Sequence, residues 1–170
     1  MIASLSPWLP AGAQLLALAG LLVVFVGFAA IGAVIGGRDR LAEADPLVGW
    51  GVVAGLFAVA GGVFDASLTV LALISALLAL LAGVILWRRG EGPLERGLAR
   101  VLLWMAPLLL ATASMGPSQW DEFTQWLPNA RYLVLFDAFP GPGHPVSDSV
   151  FPGYPPAISI VFFRTVGIEI

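Results

Sequence analysis

The sequence predicts an all-α polytopic membrane protein with an external amphipathic juxtamembrane helix, and three observations predict it. First, 59% of the 170 residues are hydrophobic and only 11% are charged, with a mean hydropathy of +0.93; a soluble domain carries about a quarter charged residues. Second, the apolar residues come in long uninterrupted blocks, which is the transmembrane signature. Third, all eight basic residues are Arg, and six of them fall in two short loops between those blocks. The chain has no Cys, so disulfides, thiol chemistry and thiolate metal sites are excluded. Nothing interleaves aromatic with basic residues as a nucleic-acid surface would.

The first apolar block spans residues 11–37, long enough to cross a hydrocarbon core of roughly 30 Å. It lacks the positive leader of a signal peptide, and Arg38 and Arg40 follow it, so it reads as a retained helix. The second span covers 47–64 and the third 66–87, with Asp65 forming the tight turn between them. The pairs Gly32/Gly36 and Gly51/Gly55 have the spacing that lets helices approach closely. The fourth span covers 101–116, and none of the four holds an ionisable residue. A further span begins near Pro155 and is cut off by the chain end, which marks an expected N-terminal fragment. The division is thus 1–116 for the four spans, 117–156 for an extracytoplasmic loop, and 157–170 for the start of another helix.

Orientation follows from the arginines. Arg38 and Arg40 precede the second span, while Arg88, Arg89, Arg96 and Arg100 precede the fourth. Both loops fall on one side, which the positive-inside rule makes cytoplasmic. The N-terminus, the Asp65 turn and the loop from Pro117 onward are then external. Trp50, Trp87 and Trp104 fall at the inner interface, and Trp8, Trp120 and Trp126 at the outer.

The external segment SQWDEFTQWLPNARY concentrates polar chemistry that the rest of that face lacks. At about 100° per residue, Phe123, Trp126, Leu127, Ala130, Leu133 and Val134 gather on one side. Asp121, Gln125 and Tyr132 lie opposite, with Glu122 and Asn129 on one flank and Thr124 and Arg131 on the other. That pattern predicts an amphipathic helix over 120–136, lying on the membrane surface with its apolar face down. Pro128 should kink it or split it in two. An Asp-Glu pair at a helix start also serves as an ordinary cap and dipole partner. The stretch FPGPGHPVSDSVFPGYPP that follows is a Pro/Gly-rich loop, in which His144 and Asp148 could together bind a metal but a solvated His144 is the commoner outcome.

WDEFTQWLPNARYL, then FDAFP, then SVFPGYPP, resembles the first external loop of GT-C-type membrane glycosyltransferases. Those enzymes, which include protein O-mannosyltransferases and aminoarabinose transferases, use sugars carried on polyprenyl phosphates. The resemblance covers roughly residues 117–157. It implies a bacterial inner-membrane enzyme that moves a sugar from a polyprenyl-phosphate carrier to a glycan, lipid or protein acceptor at the external face. It implies Asp121 as general base, beside Glu122 as helper or divalent-metal ligand. Gln125 stands where relatives carry His, which removes a proton relay at that position. Gln125, Arg131, Tyr132 and Arg164 are the expected substrate-binding residues. The two arginines are the external positive charges available to a departing phosphate. Arg164 falls about nine residues, or roughly 13 Å, into the span that starts at Pro155, where a charge faces a cavity or a partner.

Two other classes compete. A non-enzymatic membrane scaffold or assembly subunit would use the loop only to bind a partner, and its acidic pair would be replaceable. A small transporter would need ionisable residues within its spans.

Overall fold

The computed structural model describes residues 10–94, 96–114, 122–150 and 152, with the backbone alone at Arg96 and Glu122. Among these residues the regular structure is entirely helical. Helix α1 runs Gly12–Gly36, and the Gln14 side chain accepts the Ala11 N–H at its start at 2.6 Å. It ends at Gly37, whose φ of +73° is cheap for glycine and costly for any residue with a Cβ. A short 3₁₀ turn, Ala42–Ala44, leads into α2, Asp45–Leu56, which continues as a π-helical turn, Phe57–Gly61. Helix α3 is Leu68–Arg88, with the Ser67 hydroxyl accepting the Val70 N–H as its cap. Helix α4 is Arg96–Ser114 and carries Pro107 in its interior.

Four segments are long and apolar enough to cross a membrane: Gly12–Gly36, Ala42–Gly61, Leu68–Arg88 and Gly97–Ser114. The protein is a membrane protein. The second helix starts earlier than the hydropathy suggested. It takes in Asp45, which is 3% exposed, and this corrects the expectation that the four spans hold no ionisable residue. The cause is local: Pro46 suits the first turn of a helix, so helical geometry reaches back through it to the acid.

Helices in lipid gain little from hiding apolar surface, so close backbone approach matters more. Helices α1 and α2 cross with their backbones in direct contact. A Cβ on Gly32 would sit 1.9 Å from the Asp45 carbonyl oxygen, and one on Gly49 would sit 1.9 Å from that of Phe28. Of the two expected pairs, Gly32/Gly36 does lie in a close approach, Gly36 against the Arg40 side chain, whereas Gly51 and Gly55 face open space. Two residues along a helix turn about 200°, so Gly49 and Gly51 cannot both face α1.

The core joins α1, α2 and α3 through Ala30, Ile31, Ala33, Val53, Phe57, Leu68, Leu71, Ala82 and Leu86. Leu133, from a fifth helix, completes it. Helix α4 stands apart, with no part of its apolar span buried and with Leu103 and Trp104 exposed.

The fifth helix follows a π-helical turn, Glu122–Trp126, and runs Leu127–Phe136 as α5. The helix is not split at Pro128: the π turn runs directly into α5, with Trp126 in helical conformation. Pro128 falls in the first turn of α5, where its missing N–H matters least, and the wider π turn accommodates the lost bond upstream. The expected further helix over 157–170 lies outside the described residues.

Candidate functional site

The α5 unit is fastened to the N-terminal end of α3. Free N–H groups at a helix start seek an acceptor, and a carboxylate also complements the dipole. Asp137 supplies both from a different part of the chain. Its carboxylate accepts from Ser67 Oγ at 2.5 Å, from the Thr69 N–H at 2.7 Å and from Thr69 Oγ1 at 2.6 Å. Its backbone carbonyl accepts the Leu68 N–H at 3.1 Å. Asp137 has a φ of +53°, a left-handed conformation that Asp tolerates better than most residues, and it ends α5 as it caps α3. Two residues on, Phe139 lies against the π turn of α2 so closely that a Cβ on Gly61 would meet its ring at 2.7 Å.

The loop after Asp137 closes back over the same end. The Tyr132 hydroxyl donates to the Pro145 carbonyl at 2.7 Å. His144 Nε2 pairs with Asp65 Oδ1 at 2.8 Å, and the Val150 N–H donates to the Thr124 carbonyl at 2.9 Å. His144 is thus joined to the α2–α3 turn rather than to Asp148. Asp65 takes the turn position expected of it, with a φ of +53°. Among the described residues no three His, Cys, Asp or Glu gather as metal ligands.

The apolar side of the wheel, expected to face the membrane, is divided between the outer surface and the protein. Gln125, Asn129, Tyr132, Ala130 and Leu133 are buried, whereas Phe123 and Val134 are 57% and 44% exposed. Gln125 and Tyr132, expected on the open polar side, instead face the protein. The reason is that Leu133 keys into the core while the Tyr132 hydroxyl finds a carbonyl. Those two contacts rotate the helix, so that its outermost apolar side chains point away from the bundle. Burial also raises the Tyr132 phenol above its ordinary value, because the charged form loses solvent. Among the described residues, Gln125 Oε1 and Asn129 Oδ1 have no hydrogen-bond partner. They lie four residues apart, on one side of the helix.

Of the other expected site residues, Arg131 is exposed on α5. Glu122 opens the π turn, with its side chain outside the described residues. Asp121 and Arg164 also lie outside them. The unit therefore brings Gln125, Asn129 and Tyr132 together and turns Arg131 away. Asn129 and Asp137 were not singled out by sequence reasoning. Asn129 was assigned to a flank of the wheel, and the partners of Asp137 lie about 70 positions earlier in the chain.

The opposite end of the bundle holds a second polar cluster that the sequence did not reveal. Arg40 Nε bonds Asp45 Oδ2 at 2.7 Å, and its Nη1 reaches the Gly37 carbonyl at 2.8 Å and Glu91 Oε2 at 3.2 Å. The Arg40 and Asp45 side chains are only 11% and 5% exposed. The hydrogen bond to Asp45 raises the Arg40 pKa further above its already high ordinary value. Arg40, Arg38 and Glu91 line an open cleft of about 680 Å³. With Asp45, Glu91 and Gly37 all engaging Arg40, the cluster ties the α1–α2 turn to the α3–α4 loop.

No family model, curated protein sequence or solved structure matches the chain.

Proposed function

We propose that the protein is a GT-C-type membrane glycosyltransferase of the bacterial inner membrane, transferring a sugar from a polyprenyl-phosphate carrier to an acceptor at the external face. In this reading the Arg-bearing end is cytoplasmic by the positive-inside rule, the N-terminus is external, and the α5 unit faces outward. The observation that carries it is the position of that unit. The unit formed by Glu122–Trp126 and α5 lies at the end of α3 away from its arginines, and Asp137 holds it there. Helix α3 has 21 residues, about 30 Å of rise, so the two ends are separated by roughly the thickness of a hydrocarbon core.

Asp121 is the general base, taking the proton of the acceptor hydroxyl as its oxygen attacks the anomeric carbon and the carrier phosphate departs. Glu122 assists the base or holds a divalent ion. Arg131 and Arg164 are the cations available to the departing phosphate. Asp121→Asn keeps the shape but cannot take the proton. It should slow the consumption of radiolabelled polyprenyl-phosphate hexose in native membranes by about two to four orders of magnitude, at unchanged protein level. Near-normal consumption would reduce Asp121 to a helix cap.

A further inference from the structure

We infer that Gln125 and Asn129 form the subsite that receives the hydroxyls of the carried sugar. The inference rests on the glycosyltransferase reading and goes beyond it by assigning the recognition of the sugar to two named amides. Both side chains are more than nine-tenths buried, at 7% and 5% exposure, and the amide oxygen of each has no partner among the described residues. A buried acceptor left unmade is costly, and native structures keep few of them. Two together, one turn apart, form a matched pair of acceptors waiting for donors.

The chemistry of the pair selects the occupant. Two carbonyl oxygens require O–H or N–H groups, which a polyol offers on adjacent carbons. A phosphate at working pH offers acceptors only, so the carrier's headgroup cannot satisfy them. Other groups nearby are already committed. The Tyr132 hydroxyl, next along the same face, donates to Pro145, and Asp137 is saturated by Ser67 and Thr69. Gln125 also lies within the π turn, a helical irregularity that recurs at functional sites.

The test uses Gln125→Met and Asn129→Leu, which keep volume and remove the acceptors, in lipid nanodiscs. The probes are farnesyl phosphate and farnesyl phosphate bearing glucose or mannose. Because the two amide oxygens have no partner among the described residues without ligand, each variant should melt at or above the wild-type temperature. Wild type should bind at least one of the glycosylated lipids more tightly than bare farnesyl phosphate, and each variant should lose about tenfold of that advantage. Affinity for farnesyl phosphate itself should not change. A lowered melting temperature would show that the amides serve the fold and would overturn the subsite. So would variants that retain the full preference for the sugar, with the glycosyltransferase reading intact. If wild type prefers neither glycosylated lipid, the functional reading itself falls, and the subsite with it.

Discussion

The two ends of the bundle bury polar groups in opposite ways. At the Arg-bearing end, Asp45 is buried against Arg40, which in turn engages Glu91 and the Gly37 carbonyl. At the other end, Asp137 is just as fully engaged by Ser67 and Thr69, yet on the same helix unit two buried amide oxygens have no partner. Saturated polar burial is what a fold needs to hold its elements in register. Unsaturated burial costs about 1–3 kcal/mol per group and returns nothing to the folded state alone. The contrast is between an end whose buried polar groups are paired and one that leaves two amide oxygens unpaired among the described residues.

The largest effect should come from breaking the saturated ion pair. Asp45→Ala leaves Arg40 with a buried, half-compensated charge and should cost about 3–5 kcal/mol, read as a lower unfolding midpoint in nanodiscs. The double variant Asp45→Leu with Arg40→Met removes both charges and should recover a large part of that loss. If Asp45→Ala unfolds like wild type, the Arg40 cluster is ornamental and the contrast between the ends collapses.

A smaller loss is expected at the helix cap. Asp137→Asn keeps one acceptor and the left-handed turn but loses the charge at the α3 N-terminus, for about 1–2 kcal/mol. Hydrogen exchange should quicken at Thr69, whose N–H the carboxylate accepts, and remain unchanged near Arg40. Equal quickening at both ends would mean that the cap belongs to a single cooperative core.

The smallest effect concerns Tyr132. Its pKa is raised by burial, so the neutral phenol favours the folded state. That contribution is complete below the ordinary value of 10.0 and is lost as pH climbs through the raised native value. In a Tyr154→Phe background Tyr132 is the single tyrosine, and phenolate absorbance should then rise above pH 10.0 while the protein stays folded. A midpoint at the ordinary value would place the hydroxyl in water and loosen the loop it holds through Pro145.

Much of the helical layout was legible because hydropathy reports spans directly. All four spans and the Asp65 turn follow from residue type and spacing alone. Side-chain partnerships were not legible, because they join positions distant in the chain. Asp45 was missed because it closes the charged stretch RDRLAEAD, which reads as loop, although Pro46 beside it signalled the helix start. Asp137 gave no local sign of its role, since Ser67 and Thr69 lie about 70 positions earlier, at the start of α3 and beyond α5 and α4. The wheel set Phe123 and Val134 on the side away from the bundle, but it also turned Gln125 and Tyr132 outward, and these are buried. It weighed Gln125, Asn129 and Tyr132 by polarity, while the docking of Leu133 decided the rotation.

One paired measurement tests the division between the two ends most directly. Turnover of polyprenyl-phosphate hexose per folded molecule, with the unfolding midpoint, is compared for Asp121→Asn and Asp45→Ala. The division predicts a loss of at least about 100-fold in turnover for Asp121→Asn with its midpoint unchanged. It predicts a lowered midpoint for Asp45→Ala, with turnover per folded molecule within about twofold of wild type, since a lost structural pair lowers the folded fraction rather than the chemistry. Normal turnover in Asp121→Asn, or a collapse of turnover in folded Asp45→Ala, would contradict it.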